Sequence, residues 1–217
     1  QFLCLEHQNH VNINQNQGSG IAMRDSDPTL NHIVISDNNS DYGAGMLITS
    51  DSSPDLNNVV ISDNTAQNLG GGVYIQNSAP ELTRVAITGN SAGEGGGIFS
   101  FPSNIGLTNV TISNNTAGSY GSGISLYTSS SSIFLMFNSI IWGNYIEGSE
   151  TPESIYIDGD LEGATILHSN IEGGIEMPVD MDTDFFYFIE WIGNIDEDPL
   201  FNNDFTVQPS SPCIDSG

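Results

Sequence analysis

Two aspartates, Asp37 and Asp63, occupy equivalent positions in two similar segments that lie 26 residues apart. If the chain stacks these segments, the two carboxylates become neighbours at the strand spacing of about 4.8 Å. Carboxylate pairs separated by roughly 5 to 9 Å catalyse glycoside hydrolysis. Such a pair can also share one Ca²⁺ ion, or simply form a solvated acidic turn. The spacing leaves all three alternatives open, with the solvated turn as the default.

Aromatic side chains form a second group that could act on a ligand. Tyr74 and Phe99 are equivalent positions of neighbouring segments, and they are predicted to form an exposed aromatic strip. The strip could stack on sugar rings, or it could pack under a loop or against a partner. Tyr187 and Trp191 belong to an aromatic run over residues 185–191, which could bind a glycan or cap the end of the fold.

Three alternating carboxylates, Asp180, Asp182 and Asp184, precede that aromatic run. Carboxylates in this pattern can surround Ca²⁺, although the glycine and the distal glutamate of an EF-hand loop are missing. Calcium is therefore the one cofactor that the sequence suggests. The sequence shows no nucleophile–base pair, metal-binding cluster or phosphate-binding loop. It therefore leaves open whether the chain is an enzyme and favours a non-enzymatic role.

The charge balance excludes several classes of partner. Two cations, Arg24 and Arg84, stand against 27 acidic residues, which gives a net charge of −25. Nucleic acid is excluded because phosphate binding needs clustered Lys and Arg, and anionic lipid surfaces are disfavoured for the same reason. A polyuronate substrate would be repelled, which argues against a lyase. No apolar run predicts direct insertion into a membrane.

Three series of residues recur with a period of about 25 residues, and this period organises the whole chain. The series are Leu30, Leu56, Leu82 and Leu107; Asn38, Asn64, Asn90, Asn115 and Asn144; and Gly45, Gly72, Gly97 and Gly123. Short segments with alternating apolar residues, such as Ile33 to Ile35 and Val73 to Ile75, indicate strands rather than helices. A unit of this size cannot bury its apolar face alone, but it can when stacked on copies of itself.

The sequence therefore predicts an all-β fold, a single-stranded right-handed parallel β-helix of about 6–7 coils with a C-terminal cap. One domain spans residues 1–217. It divides into an incomplete first coil (1–29), regular coils (30–136), irregular coils (137–175) and an aromatic, acidic insertion with the cap (176–217). No helix is predicted to cap the first coil, so the chain is expected to be a fragment, to follow another domain, or to stack on a neighbour. The asparagine series is expected to point inward at a bend and to bond the coils above and below.

The only two cysteines, Cys4 and Cys213, lie near opposite ends of the sequence. Several coils of about 4.8 Å each would separate them by tens of ångströms, whereas a disulfide needs Cα atoms within about 7 Å. They can pair within one chain only if the tail runs back along the solenoid. Free thiols are the default, and a link from one molecule's tail to the next one's head is the alternative.

Four stretches carry a resemblance to a known group: LTNVTISNNTA, GGGVYI, NSIIWGN and the ending DPLFNNDFTVQPSSPCIDSG. They resemble the right-handed parallel β-helix repeat proteins of bacterial cell surfaces, including the chlamydial polymorphic outer-membrane repeat, within the pectate-lyase-like superfold. The resemblance covers most of the chain. It implies an extracellular or cell-surface location in a bacterium, and it leaves the activity open because this fold carries lyases, glycosidases, adhesins and inert scaffolds.

Three hypotheses for function follow. The first is a non-enzymatic structural or adhesive module, with end-to-end stacking of copies into a fibre as a variant. The second is a carbohydrate-binding module that uses the aromatic residues to bind cell-surface glycans. The third is a glycoside hydrolase for a neutral polysaccharide, with Asp37 and Asp63 as its carboxylates.

Overall fold

The computed structural model describes residues 11–149, 151–159, 163–176, 189–202 and 206–214. Within these ranges every regular element is a β-strand, and the strands assemble into four parallel sheets. The chain passes through the sheets in a fixed order, so that each strand pairs with its counterpart about 25 residues away. Three of the sheets have seven strands each, which corresponds to about six full turns of a solenoid. The predicted all-β parallel solenoid is confirmed.

The first two sheets each gain one strand per coil. Sheet 1 contains β1 (Val11–Asn14), β4 (Ile33–Ser36), β8 (Val60–Ser62), β12 (Ala86–Thr88), β16 (Thr111–Ser113), β20 (Ile140–Trp142) and β24 (Asn170–Ile171). Sheet 2 contains β2 (Ile21–Arg24), β6 (Met46–Thr49), β10 (Val73–Gln76), β14 (Ile98–Phe101), β18 (Ile124–Tyr127), β22 (Ile155–Asp158) and β25 (Ile175–Glu176).

The other two sheets complete the cross-section. Sheet 3 contains β3 (Thr29–Asn31), β7 (Asp55–Asn57), β11 (Glu81–Thr83), β15 (Ile105–Thr108), β19 (Ile133–Phe137), β23 (Gly163–Leu167) and β26 (Ile189–Ile192). Sheet 4 is shorter and contains β5 (Asn39–Tyr42), β9 (Thr65–Leu69), β13 (Ser91–Ala92), β17 (Thr116–Ala117) and β21 (Tyr145–Ile146). A regular coil therefore visits sheets 2, 3, 1 and 4 in turn.

The core consists of identical or similar apolar side chains stacked in columns. In sheet 1 the register aligns five buried isoleucines: Ile35, Ile61, Ile87, Ile112 and Ile141. Because side chains alternate between the two faces of a strand, the residues before and after each isoleucine in its own strand point outward. The same alternation in sheet 2 places one set of side chains in the core and the next set on the outer surface.

The glycine series marks a place where neighbouring coils approach closely. A Cβ atom at Gly97 would lie 2.4 Å from the carbonyl oxygen of Gly123 and 2.9 Å from a methyl carbon of Ile112. No side chain fits at these distances. The glycines that precede β6, β10, β14 and β18 therefore let sheet 2 stack tightly against the neighbouring coils.

Candidate ligand-binding surface

The asparagine series forms a continuous buried ladder at the bend between sheets 1 and 4. The Nδ2 atom of Asn64 donates to Oδ1 of Asn90 at 2.9 Å and to the main-chain oxygen of Ile35 at 3.0 Å. The same pair of bonds recurs at Asn38, Asn90 and Asn115, while Asn144 Nδ2 donates to the main-chain oxygen of Ile112 alone. Asn16 extends the ladder by one coil, since its Nδ2 donates to Oδ1 of Asn38 at 2.7 Å. The polar atoms of this ladder bond one another and the main chain, so they stabilise the fold.

Asp37 and Asp63 directly precede two of these asparagines, at turns with positive φ of 55° and 56°. Both side chains are exposed. Asp37 Oδ2 accepts a hydrogen bond from Ser36 Oγ at 3.0 Å, and the carboxylate of Asp63 lies over Gly89, where a Cβ would be 2.7 Å from its Oδ1. Aspartate tolerates this left-handed conformation better than most residues, so backbone geometry alone explains both positions.

Outward side chains of sheet 2 form a contiguous group of aromatic rings, which we call the aromatic strip. The register places Tyr74 beside Phe99, then Ser125 and Tyr156, in one outward column. Tyr42 from sheet 4 and Tyr120 from the turn before β18 join this column, and Phe101 and Tyr127 lie in the next outward column. The ring pairs, with centroid distances, are Tyr42–Tyr74 (5.9 Å), Tyr74–Phe99 (5.5 Å), Phe99–Tyr127 (5.5 Å), Phe101–Tyr127 (6.4 Å), Tyr127–Tyr156 (6.3 Å) and Tyr120–Tyr156 (4.6 Å).

The exposed rings of the strip are not the two that the sequence predicts. Phe99 is only 5% exposed, because Tyr74 stacks on one side of it at an interplanar angle of 10° and Tyr127 leans on the other. The prediction of an exposed Phe99 is therefore wrong, and Tyr74 is half-buried. Instead, Tyr42, Phe101 and Tyr120 present 46–48% of their surface to solvent. Phe99 is the buried support of a surface that its neighbours display.

One carboxylate, that of Glu94, reaches into the middle of the strip from the loop that follows β13. Ser125 Oγ donates to Glu94 Oε1 at 2.7 Å, and the charge of the Glu94 carboxylate acts on the phenol of Tyr127. Burial and then the charge of Glu94 raise the pKa of Tyr127 well above its ordinary value. Burial, then Asp158, Tyr120, Glu94 and Glu153, raise the pKa of Tyr156 in the same direction. Both phenols therefore stay neutral and keep their hydroxyl protons for hydrogen bonding.

A polar groove of about 320 Å³ adjoins the aromatic strip where the strands of sheet 2 end. Asn77 follows Gln76 at the end of β10, and Pro102 follows Phe101 at the end of β14. The other lining residues are mostly serines, with further amide and carboxylate groups: Asp51, Ser53, Ser78, Ala79, Ser103, Asn104, Ser129, Ser131 and Ser132. The groove and the strip therefore meet along the chain where Phe101 is followed by Pro102.

The remaining candidate residues lie away from the strip. Trp191 on β26 pairs in register with Ile166, a core residue of sheet 3, and is 42% exposed. It extends the column of Ile166 at the end of the described part of sheet 3. Tyr187 and the aspartates 180, 182 and 184 lie outside the described residues. Among those described, no group of three or more His, Cys, Asp or Glu side chains could hold a metal ion.

The cysteines and arginines are also separated from the strip or from each other. Cys213 is a free, half-buried thiol whose Sγ accepts a hydrogen bond from Asn170 Nδ2 at 3.1 Å, while Cys4 lies outside the described residues. Arg84, after β11 in sheet 3, donates to Asn57 and Asn58 at 2.9 Å. Arg24 ends β2 in sheet 2, so the two arginines stand on different sheets.

A family model described as a right-handed β-helix region matches residues 4–140, which is more than half of the chain. The chain belongs to this family, which also establishes the right-handed sense of the solenoid. No curated protein and no solved structure matched in the corresponding searches. In the described ranges, no helix has the length and apolar character needed to cross a membrane. The family establishes the fold, and any conclusion about activity has to come from the residues on the surface.

Proposed function

We propose that this chain is a non-enzymatic extracellular adhesive module that binds glycan chains through the aromatic strip of sheet 2. The observation that carries the proposal is the continuity of the strip, in which six ring pairs connect Tyr42 to Tyr120 across consecutive coils. Large exposed apolar surfaces on soluble proteins mark interaction sites. A tyrosine ring offers both an apolar face and a hydroxyl, which suits a ligand with the same mixed character.

The direction of the strip favours a polymer over a single sugar. Parallel strands of successive coils lie about 4.8 Å apart, so the rings follow the solenoid axis in two neighbouring outward columns. A linear polysaccharide along this axis would contact several rings at once, and the second and later contacts would form at a high effective concentration. The adjoining groove supplies serine hydroxyls and asparagine amides that can bond sugar hydroxyls.

The non-enzymatic part of the proposal follows from the positions of the predicted catalytic pair. Asp37 and Asp63 are exposed turn residues whose φ values explain their identity, and the next residues in their column are Gly89 and Asn114, with φ of 66° and 55°. This column is a series of turn positions, and the aromatic strip stands on a different sheet. We therefore place ligand binding at the strip and no chemistry at Asp37 and Asp63.

Affinity gel electrophoresis against a panel of neutral, amino and acidic polysaccharides tests this proposal. We expect at least one polysaccharide to retard the wild-type chain, and the double variant Phe101→Ala/Tyr120→Ala to lose that retardation. Trp191→Ala is the matched comparison, because Trp191 has similar exposure but lies on sheet 3. Unchanged retardation of the double variant, or loss of retardation only in Trp191→Ala, would show that the strip is not the binding surface.

End-on association of copies is a second candidate, favoured by the first described coil. There Val11, Ile13 and Ile21 pack against the core but are only half-buried, and β1 and β2 are edge strands of their sheets among the described residues. Unpaired edges with apolar neighbours are templates for pairing with another chain. Because a charge of −25 opposes association, the sedimenting mass should rise with both concentration and salt. A constant monomer mass under all these conditions would exclude this candidate.

A further inference from the structure

Carboxylates converge on the centre of the aromatic strip from three separate segments. Glu94 approaches from the loop after β13, and its Oε1 accepts a hydrogen bond from Ser125 Oγ at 2.7 Å. Asp158 ends β22 and acts electrostatically on both Tyr127 and Tyr156, while Glu153 from the preceding loop acts on Tyr156. Asp158 is the register partner of Tyr127, and Glu94 is bonded to Ser125, so these two carboxylates lie at the middle of the strip, whereas Glu153 is buried.

The rings add to this negative potential. The face of an aromatic ring carries partial negative charge and attracts a cation within about 6 Å of its centroid. Tyr127 lies between the rings of Phe99, Phe101 and Tyr156, at centroid distances of 5.5, 6.4 and 6.3 Å. Phe99 and Tyr156 are only 5% and 7% exposed, so a positively charged group at this place would meet the half-buried ring of Tyr127, the exposed ring of Phe101 and the carboxylates.

The protein supplies little positive charge to balance these carboxylates. Its only Lys or Arg residues are Arg24 and Arg84. Arg84 is engaged with Asn57 and Asn58 at the end of sheet 3. Arg24 lies on β2, four strands from β18 in the order of sheet 2, which at about 4.8 Å per strand is about 19 Å away. Neither arginine therefore pairs with Glu94 or Asp158.

We infer that the ligand of the aromatic strip is a polysaccharide that carries protonated amino groups, such as a polymer of hexosamine without N-acetyl groups. This inference rests on the proposed glycan-binding function and specifies the class of glycan. The sugar rings would stack on the exposed aromatic side chains, and the ammonium groups would lie against Glu94 and Asp158. A polyuronate would meet the same carboxylates with charge of the same sign and would be repelled.

Calorimetric titration with two oligosaccharides of equal length tests the inference. One is a glucosamine oligomer at a pH where its amines are protonated, and the other is its N-acetylated counterpart. We expect the charged oligomer to bind about tenfold or more tightly, since one desolvated cation contact is worth about that factor. Its affinity should fall with added salt, because screening weakens charge pairs.

Glu94→Gln isolates the role of the central carboxylate. It retains an oxygen that can accept from Ser125 but removes the charge, so binding of the charged oligomer should weaken about tenfold. The ratio of the affinities for the charged and the N-acetylated oligomer should therefore fall by about the same factor. Glu81→Gln is the matched control, because it removes one charge from an exposed position on sheet 3. Asp158→Asn repeats the test from a second strand.

The outcomes separate this inference from the function on which it rests. Equal affinity for the two oligomers, with both lost in Phe101→Ala/Tyr120→Ala, would overturn the preference for amines and leave glycan binding intact. If Glu81→Gln weakens binding of the charged oligomer as much as Glu94→Gln does, the preference for amines is a general effect of net charge. That result would overturn the assignment of an amine site at Glu94. Failure of every polysaccharide in the panel to bind would overturn both proposals.

Discussion

The contacts of an individual residue in this protein depend on the column of equivalent positions to which it belongs. Asn90 shows this most clearly, because its Oδ1 accepts from both the main-chain nitrogen and the Nδ2 of Asn64, and its own Nδ2 donates to Ile61 and Asn115. Each bond is made inside the protein, where an unpaired polar group costs free energy that water would otherwise offset. The ladder therefore stabilises the bend only while it is complete.

Asn90→Ala should lower the free energy of unfolding by about 3 kcal/mol, because it leaves buried polar groups of Asn64 and Ile61 without this partner. Asn68→Ala provides the control, since Asn68 is an exposed asparagine in the same part of the repeat. Chemical denaturation of both variants measures the difference. A loss below about 1 kcal/mol for Asn90→Ala would mean that the ladder contributes little to stability.

Because side chains alternate along each strand, the strands give the repeat an inner and an outer surface. In sheet 2 the inward residues are apolar except for Ser100 and build the core, while the outward residues build the aromatic strip. This division depends on close stacking of the coils, which the glycine before each strand permits. At Gly97 a side chain would overlap the carbonyl group of Gly123, and neither backbone segment can move independently of its sheet.

Gly97→Ala should therefore destabilise the protein by about 1–3 kcal/mol through overpacking. Gly163→Ala is the matched control, because a Cβ atom at Gly163 would meet no heavy atom within 4 Å. Thermal unfolding of both variants by circular dichroism gives the comparison. If both variants melt at the wild-type temperature, the close approach of the coils at Gly97 does not limit the packing.

Sequence periodicity predicts the strands and columns but only part of the strip. Tyr74 and Phe99 are 25 residues apart and are correctly placed as neighbours. Tyr156 joins the same column 31 residues after Ser125, because a longer loop breaks the period at that point. Glu94 and Tyr120 project from loops, and Tyr42 comes from another sheet. Their positions depend on how turns fold in three dimensions, which a one-dimensional period does not contain.

The whole molecule carries its charge on a narrow solenoid. Twenty-seven acidic residues oppose two basic ones, so the folded chain repels itself along its length. The melting temperature should therefore rise as salt is added, since the screening length falls to about 10 Å at 0.1 M ionic strength. A scan in sodium chloride measures this. A melting temperature that falls with added salt would show that specific ion pairs outweigh the general repulsion.

Hydroxyl-radical footprinting of the wild-type chain, with and without the polysaccharide that retards it most strongly, tests the central proposal most directly. Tyr42, Phe101 and Tyr120 on the strip and Trp191 on sheet 3 have similar exposure, between 42% and 48%. Trp191 is therefore an internal control within one sample. Binding at the strip predicts that the ligand protects Tyr42, Phe101 and Tyr120 from oxidation and leaves Trp191 unchanged. Two results would contradict a binding surface on sheet 2. One is protection of Trp191 alone, and the other is that the ligand leaves the oxidation of all four residues unchanged.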